Sequence, residues 1–378
     1  MIYLDNAATT YPKPPQVINA VQTAMRQYGA NPGRSGHALS LAAATEIYRC
    51  RVSAADFFHA PGPECVAFTL NCTHAANMVL KGLLKPGDHV VVSCLEHNAV
   101  MRPLKELEKT GVTYTAAQVY PGDNDRTLQS FRESINAKTV LVACMHASNV
   151  WGIKLPVARI AALAREYGLQ TMVDVAQTAG AVPIDMEDWG VDYICAAGHK
   201  GLYGPMGTGM LITARGEELK TILEGGTGTN SISFEQPSSM PDRFESGTPN
   251  MPGIAGLHAG IEYVKRVGME RMERHEMQLI QHLYDRLSRV KGVELYMPRP
   301  DSQYFVPLLS FNLEGKDSEL VAEALDKRGI AVRAGLHCAP AAHQFCHTME
   351  RGAVRVCPSA FSKMTEIDAL CTAILKIL

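Results

Sequence analysis

The feature that most constrains the fold is a series of short runs in which apolar residues fill consecutive positions. His89-Val-Val-Val-Ser93, Thr139-Val-Leu-Val-Ala-Cys144 and Leu169-Gln-Thr-Met-Val-Asp174 all have this form. A strand with one wet face alternates apolar and polar residues. An unbroken run means that both faces are covered, as in a parallel sheet with helices on each side. Turn or helix-stop signals introduce the runs, Pro86-Gly87-Asp88 before the first and Gly168 before the third. Between the second and third, Val157, Ile160, Ala161 and Ala164 fall at helical spacing behind Pro156, a residue suited to a helix's first turn. Strand, helix and strand in that order imply a right-handed crossover and a mostly parallel sheet. Residues 65 to 215 therefore read as an α/β layered domain.

The pattern changes after Pro249-Asn-Met-Pro252. Helical stretches rich in Glu, Arg and Met run from Ile254 to Val290, and a smaller α/β unit follows. In that unit Val306 to Leu313 reads as a strand and Ser318 to Arg328 as a helix stopped by Gly329. Short strands are expected around Ile330 to Arg333 and Ala353 to Val356, and an amphipathic helix closes the chain from Thr365 to Leu378. Two units in one chain leave a cleft between them, a common place for a ligand.

Composition narrows the function classes. The 378 residues carry 36 Lys+Arg against 38 Asp+Glu, so no basic surface for nucleic acid is expected. No apolar run approaches the roughly 20 residues of a spanning helix, and no membrane association is expected. The segment Met1 to Thr10 lacks a basic region followed by an apolar one. The chain reads as a non-exported, cytoplasmic protein. Its 10 cysteines include no C-x-x-C pair, so they read as reduced thiols, most of them small hydrophobic core residues.

One constellation carries chemistry. The strand ending at Asp174 delivers a carboxylate to the carboxyl edge of the sheet, and the strand Tyr193-Ile-Cys-Ala196 leads into Gly198-His199-Lys200. Ligands of open α/β sheets sit at that edge. A lysine and an acid brought there together match the needs of pyridoxal 5'-phosphate. The lysine forms a Schiff base, and the acid keeps the pyridine nitrogen protonated so that the ring acts as an electron sink.

Asp174-Val-Ala-Gln177 followed by Gly198-His199-Lys200-Gly-Leu-Tyr-Gly-Pro-Met-Gly resembles the cofactor motif of class V aminotransferase-fold enzymes, in particular their cysteine desulfurase and selenocysteine lyase branch. The likeness continues through Tyr3-Leu-Asp5-Asn-Ala-Ala8, Asn71-Cys-Thr73-His-Ala-Ala-Asn77, Glu96-His97-Asn-Ala and Ser148-Asn149-Val-Trp-Gly152. It ends with Phe244-Glu-Ser-Gly-Thr-Pro-Asn250 and Arg333-Ala-Gly-Leu-His-Cys338-Ala-Pro340. Any one block is a weak signal, whereas their collinear succession over essentially the whole chain is a strong one. The resemblance implies fold type I, with a large cofactor-binding domain at 20–252. Residues 1–19 and 253–378 then form a small domain carrying the catalytic cysteine loop.

Carried over position by position, the resemblance implies that Lys200 bears the cofactor, Asp174 pairs with the pyridinium nitrogen and Gln177 bonds the phenolic oxygen. His97 stacks on the ring. Cys72, Thr73 and His199 reach the phosphate, helped by a helix N-terminus. Asn149 and Arg355 hold the substrate carboxylate. Thr227, in the loop Gly225-Gly-Thr-Gly-Thr229, belongs to a segment that in relatives completes the neighbouring subunit's site, which implies a homodimer. Cys338 is the sulfur nucleophile: L-cysteine yields L-alanine and a persulfide on the enzyme, and the sulfur then passes to an acceptor protein. The short spacing around Cys338 resembles the compact-loop branch, in which selenocysteine cleavage is also expected. Two departures stand out. Ala197 replaces a hydroxyl that many relatives offer the phosphate, and Leu336 replaces a histidine near Cys338.

Other readings compete. A class V transaminase or another pyridoxal phosphate lyase makes Cys338 incidental. A scaffold for a sulfur-carrier partner needs no catalysis. A zinc site is conceivable from His337, Cys338, His343, Cys346 and His347, although their spacing is not that of a structural zinc motif. Gly204-Pro-Met-Gly207-Thr-Gly209 matches a dinucleotide fingerprint by glycine count alone.

Overall fold

The computed structural model describes residues 1–33, 36–229 and 231–378. The chain opens with β1 (Ile2–Tyr3), α1 (Pro15–Gln27) and α2 (Ala38–Phe57). The large unit follows as β2 (Val66–Thr69), α3 (Cys72–Leu83), β3 (His89–Ser93), α4 (Asn98–Leu107), β4 (Thr113–Ala117), α5 (Asn124–Ser134) and β5 (Thr139–Met145). It continues through α6 (Val157–Glu166), β6 (Gln170–Asp174), α7 (Met186–Trp189), β7 (Tyr193–Ala197) and β8 (Gly209–Ile212).

These strands form a seven-stranded sheet in the order β2-β8-β7-β6-β5-β3-β4. Every neighbouring pair from β7 to β4 is parallel, and β8 runs antiparallel to both of its neighbours. The unbroken apolar runs are explained by the pleat, which sends successive residues to opposite faces. Val91, Val142, Val173 and Ile194 join one core cluster, while Val90, Leu141, Ala143, Met172 and Cys195 join the other. The edge strand β4 exposes Thr113, Thr115 and Ala116. In register, Met145 lies opposite Asp174 and Asp174 opposite Cys195, so the carboxyl ends of β5, β6 and β7 lie side by side.

The helical stretch after residue 250 is two helices, α8 (Met251–Val267) and α9 (Met269–Leu287), separated at Gly268 with φ +89°. The smaller unit adds β9 (Val293–Leu295), β10 (Leu309–Leu313), α10 (Ser318–Asp326), β11 (Ile330–Ala331), α11 (Pro340–Phe345), β12 (Val354–Val356) and α12 (Met364–Leu375). β12, β10 and β9 form an antiparallel three-stranded sheet. The strand expected from Val306 begins three residues later, because Pro307 has no N–H to give a ladder and Leu308 N bonds back to Val306 O. β1 pairs in parallel with β11, and Leu4 is buried with Phe311, Val354 and Leu370. The N-terminus is thereby built into the small unit. Residues 20 and 252, the expected limits of the large unit, fall inside α1 and α8, which pack on each other. Among the described residues no helix is long and apolar enough to cross a membrane.

Candidate active site

The carboxyl edge of the large sheet opens into a cleft of about 630 Å³ lined by Cys72, Thr73, His97, Asn149, Asp174, Gln177, His199 and Lys200, among others. They are delivered by the exits of five strands, β2, β3, β5, β6 and β7. β2 leads through the cap Asn71 into α3, whose first residues are Cys72 and Thr73. The Asn71 side chain accepts from His74 N at 2.9 Å. The helix thus starts at Cys72, which puts Cys72 and Thr73 in its first turn. β3 leads to His97, which caps α4 with Nδ1 accepting from Ala99 N at 3.0 Å. That bond fixes the tautomer protonated at Nε2. Burial lowers the His97 pKa to about 4, so the ring is neutral.

Asp174 ends β6 as a buried carboxylate. Its Oδ1 accepts from Ala176 N at 2.8 Å and lies 3.4 Å from the Cys72 thiol. Gln177 faces the cleft while its Nε2 donates to Ala7 O at 3.1 Å. Lys200 is half-buried, and desolvation lowers its pKa, with Asp174 and Cys72 opposing the shift and Arg355 and Arg333 adding to it.

The backbone that presents Lys200 is clamped by the N-terminal segment. The His199 carbonyl accepts from Thr9 Oγ1 at 3.1 Å, Thr10 Oγ1 at 3.2 Å, Thr10 N at 3.3 Å and Lys13 Nζ at 2.7 Å. Thr10 Oγ1 also reaches the Lys200 carbonyl at 3.0 Å. Behind it the loops after β6 and β7 touch: a Cβ on Gly180, at φ +85°, would lie 2.2 Å from Gly201 O. Only glycine permits that approach.

Cys338 and Arg355 come from the small unit and do not themselves line the cleft, but both are tied by hydrogen bonds to residues in or next to its wall. Arg355 is buried, donates to Asn149 O at 2.8 Å and pairs with Asp5 Oδ1 at 2.8 Å. Asn149 Nδ2 in turn donates to His337 O at 2.8 Å. The Cys338 carbonyl accepts from Asn98 N at 2.8 Å, which fastens the cysteine loop beside His97. His337 and Cys338 both take left-handed backbone angles, φ +50° and +56°. Non-glycine residues adopt such angles at an energetic cost, and they cluster where a loop is held for function. Among the described residues Cys338 alone of the 10 cysteines is exposed, and burial pushes the thiol pKa of each of the others up.

Thr227 is not brought to this cleft. It lies in its own loop, hydrogen-bonded to Thr229 Oγ1 at 2.8 Å. Among the described residues no three His, Cys, Asp or Glu side chains are placed to share a metal ion. His337 and His343 of the zinc reading instead stack 5.6 Å apart, with His337 Nε2 bonded to Ala353 O and His343 Nδ1 to Thr348. Sequence reasoning assigned no role to Asp5, Thr10, Lys13 or Glu96. Asp5 and Glu96 lie in motif blocks that carried the resemblance, and those blocks were the available signal.

Three buried polar atoms around the cleft have no protein partner: His199 Nδ1, Asn149 Oδ1 and Arg355 Nε. Buried polar groups are nearly always satisfied, so an unpartnered set at one cleft points to a polar ligand. The donor set fits pyridoxal 5'-phosphate. A helix N-terminus and His199 suit the phosphate, a buried carboxylate suits the ring nitrogen, and Lys200 lines the same cleft.

Comparison with known proteins agrees with this geometry. The chain matches the family described as Aminotransferase class-V over residues 2–370. It is 35% identical over 348 residues to a probable cysteine desulfurase of Halalkalibacterium halodurans, covering 90% of this chain and 84% of that one. It is 34% identical over 353 residues to a cysteine desulfurase of Haloferax volcanii, covering 91% and 82%. Among solved structures it superposes on the apo cysteine desulfurase of Thermococcus onnurineus with a TM-score of 0.91, at 31% identity, covering 100% and 94%. It also matches the cysteine desulfurase CsdA of Escherichia coli with a TM-score of 0.88, at 28% identity, covering 100% and 95%. A sheet edge that gathers Asp174, Lys200 and His97, and a family match across nearly the whole length, lead to one conclusion: the chain belongs to the class V aminotransferase family.

Proposed function

We propose that the chain is a pyridoxal phosphate-dependent cysteine desulfurase that converts L-cysteine to L-alanine and keeps the sulfur on Cys338. The observation that carries this reading is the placement of Cys338, the one exposed thiol among the described cysteines, on a loop whose backbone accepts from Asn98 N, next to His97, and from the cleft residue Asn149. A transaminase needs no thiol there.

When bound, the cofactor supplies an electron sink for charge developing at the substrate α-carbon. Asp174 holds the proton on its ring nitrogen and Gln177 bonds its phenolic oxygen. The first turn of α3, with Cys72 and Thr73, and His199 hold its phosphate. His97 contributes a neutral aromatic wall. Arg355, with Nε free and one arm fixed by Asp5, offers the substrate carboxylate a charge-assisted contact beside Asn149. Burial favours the neutral amine of Lys200, so it can take the proton from the substrate α-carbon. The Cys338 thiolate attacks the substrate sulfur. The new S–S bond forms as the carbon–sulfur bond breaks, and its electron pair stays with the carbon skeleton, which is protonated to alanine.

The Thr227 loop, outside its own cleft, is assigned to the cleft of a second copy in a homodimer. The persulfide then passes to a sulfur-acceptor protein. Alanine release from L-cysteine tests the reading. Lys200→Ala and Cys338→Ala are both expected to lose it, and Cys338→Ala is expected to keep the visible absorbance of the bound cofactor. Wild-type alanine release by Cys338→Ala contradicts it.

A further inference from the structure

The turn that carries Cys338 is one that its residues do not favour. Ala339 N donates to Leu336 O at 2.9 Å, which closes a four-residue turn around His337 and Cys338. Both central residues are left-handed, at φ +50° and +56°. Turns of that kind are ordinarily built from glycine and asparagine. A histidine and a cysteine stay in such a turn only where the surroundings over-determine it.

The surroundings of His337 are a stack of three rings drawn from three segments. Trp151 stands between β5 and α6, His343 on α11 and His337 in the turn itself, and all three are buried. The Trp151 and His343 rings lie 5.5 Å apart and the His343 and His337 rings 5.6 Å apart, the second pair within 27° of parallel. Hydrogen bonds fix each ring. Trp151 Nε1 donates to Ala342 O at 2.6 Å, His343 Nδ1 meets Thr348 Oγ1 at 2.7 Å and His337 Nε2 donates to Ala353 O at 3.0 Å. Core packing alone does not require histidine at these positions. Among the described residues His337 Nδ1 and His343 Nε2 are buried without a partner, a cost that an apolar side chain would not carry.

We propose that Trp151, His343 and His337 are positioning residues of the sulfur-transfer step, their stacked rings holding the turn at His337-Cys338 in its left-handed form and so setting where the thiol stands beside the cleft. The proposal rests on the desulfurase reading. None of the three rings lines the cleft of Lys200, and the stack reaches Cys338 through the backbone of His337. It therefore acts on the attack at sulfur and not on removal of the substrate α-proton.

The test reads two steps on cofactor-loaded protein at saturating L-cysteine. Removal of the α-proton, followed as deuterium exchange at the α-carbon of L-cysteine in heavy water, uses Lys200 and not Cys338, whereas alanine release uses both. His343→Leu is expected to slow alanine release about tenfold while α-carbon exchange stays within about twofold of the unaltered protein. His343→Phe, which keeps a ring in the stack, is expected to release alanine within about twofold of the unaltered rate. Amide hydrogen exchange gives a readout independent of turnover. The Ala339 amide is expected to be protected for minutes or longer in the unaltered protein, a result that does not depend on any variant's folding, and to lose about tenfold of that protection in His343→Leu. Unchanged alanine release in His343→Leu, equal slowing of both steps, the same loss in His343→Phe, or an unprotected Ala339 amide in the unaltered protein overturns the proposal and leaves the desulfurase reading standing. No alanine from the unaltered protein removes that reading, and this proposal with it.

Discussion

Glu96 shows how one residue can tie stability to pH in this site. It lies beneath the cleft, fully buried, with Oε1 accepting from Ser93 Oγ at 2.5 Å and Met145 N at 2.9 Å, and with Oε2 unpartnered. Burial raises its pKa from 4.5 to about 8. The folded state therefore holds a proton that the unfolded state releases. The associated stability is complete below pH 4.5 and is lost as pH rises toward about 8. Glu96→Gln is expected to reduce the slope of the urea midpoint against pH in that window, Glu276, likewise raised by burial to about 8, retaining the rest. An unchanged slope contradicts the assignment. Three desolvated histidines act in the opposite direction. His146, His199 and His337 are lowered to about 3, 4 and 2, so stability is lost as pH falls below their ordinary 6.5. Asp5 is the partner that holds Arg355. Asp5→Ala leaves a buried guanidinium with one fewer partner and is expected to destabilise the fold by about 3 kcal/mol. Its KM for cysteine is also expected to rise, and urea melts with steady-state kinetics check both. Asp174, Lys200 and Gln177 were legible in the sequence because each follows directly from the end of a buried run. The Asp5–Arg355 pair was not, since 350 positions separate its partners and the contact is made by the parallel bridge of Asp5 to Cys357, at the exit of β12.

Elements set the precision with which these residues meet. The N-terminus of α3 depends on Asn71, whose Oδ1 satisfies His74 N. Asn71→Ala is expected to cost about 1 kcal/mol of stability and to weaken retention of the cofactor phosphate, read by urea melts and cofactor titration. Gly180→Ala drives a Cβ into the Gly201 carbonyl, and both midpoint and cofactor occupancy are expected to fall. A variant as stable as the parent contradicts the close approach of those loops. At this scale the strands of the large sheet were the most legible part, because burial on both faces leaves an unbroken apolar run. β4 was missed for the reverse reason, being an exposed edge with Thr113, Thr115 and Ala116 outward. The break at Gly268 and the late start of β10 depend on a single glycine angle and a single proline, which hydrophobic spacing does not register.

At the scale of the whole molecule, the small unit reaches the cleft by two routes, through β1 and Asp5 at the N-terminus and through the Cys338 loop. The fold class was readable from the order of elements, whereas the place of Thr227 was not, because its loop does not line its own cleft. Ile232 and Phe234, close to that loop, are fully exposed, and Met206, Leu70 and Leu223 are exposed as well. The proposed homodimer would cover these side chains. Sedimentation is expected to show a dimer, and the double variant Ile232→Glu with Phe234→Glu is expected to sediment as a monomer with little alanine release; a stable double-variant dimer contradicts this. The central claim is that sulfur leaves L-cysteine onto Cys338, and mass spectrometry of the Cys338 peptide after a single turnover without reductant tests it most directly. One added sulfur atom on Cys338 for each alanine released is predicted. Stoichiometric alanine with Cys338 unmodified would contradict it.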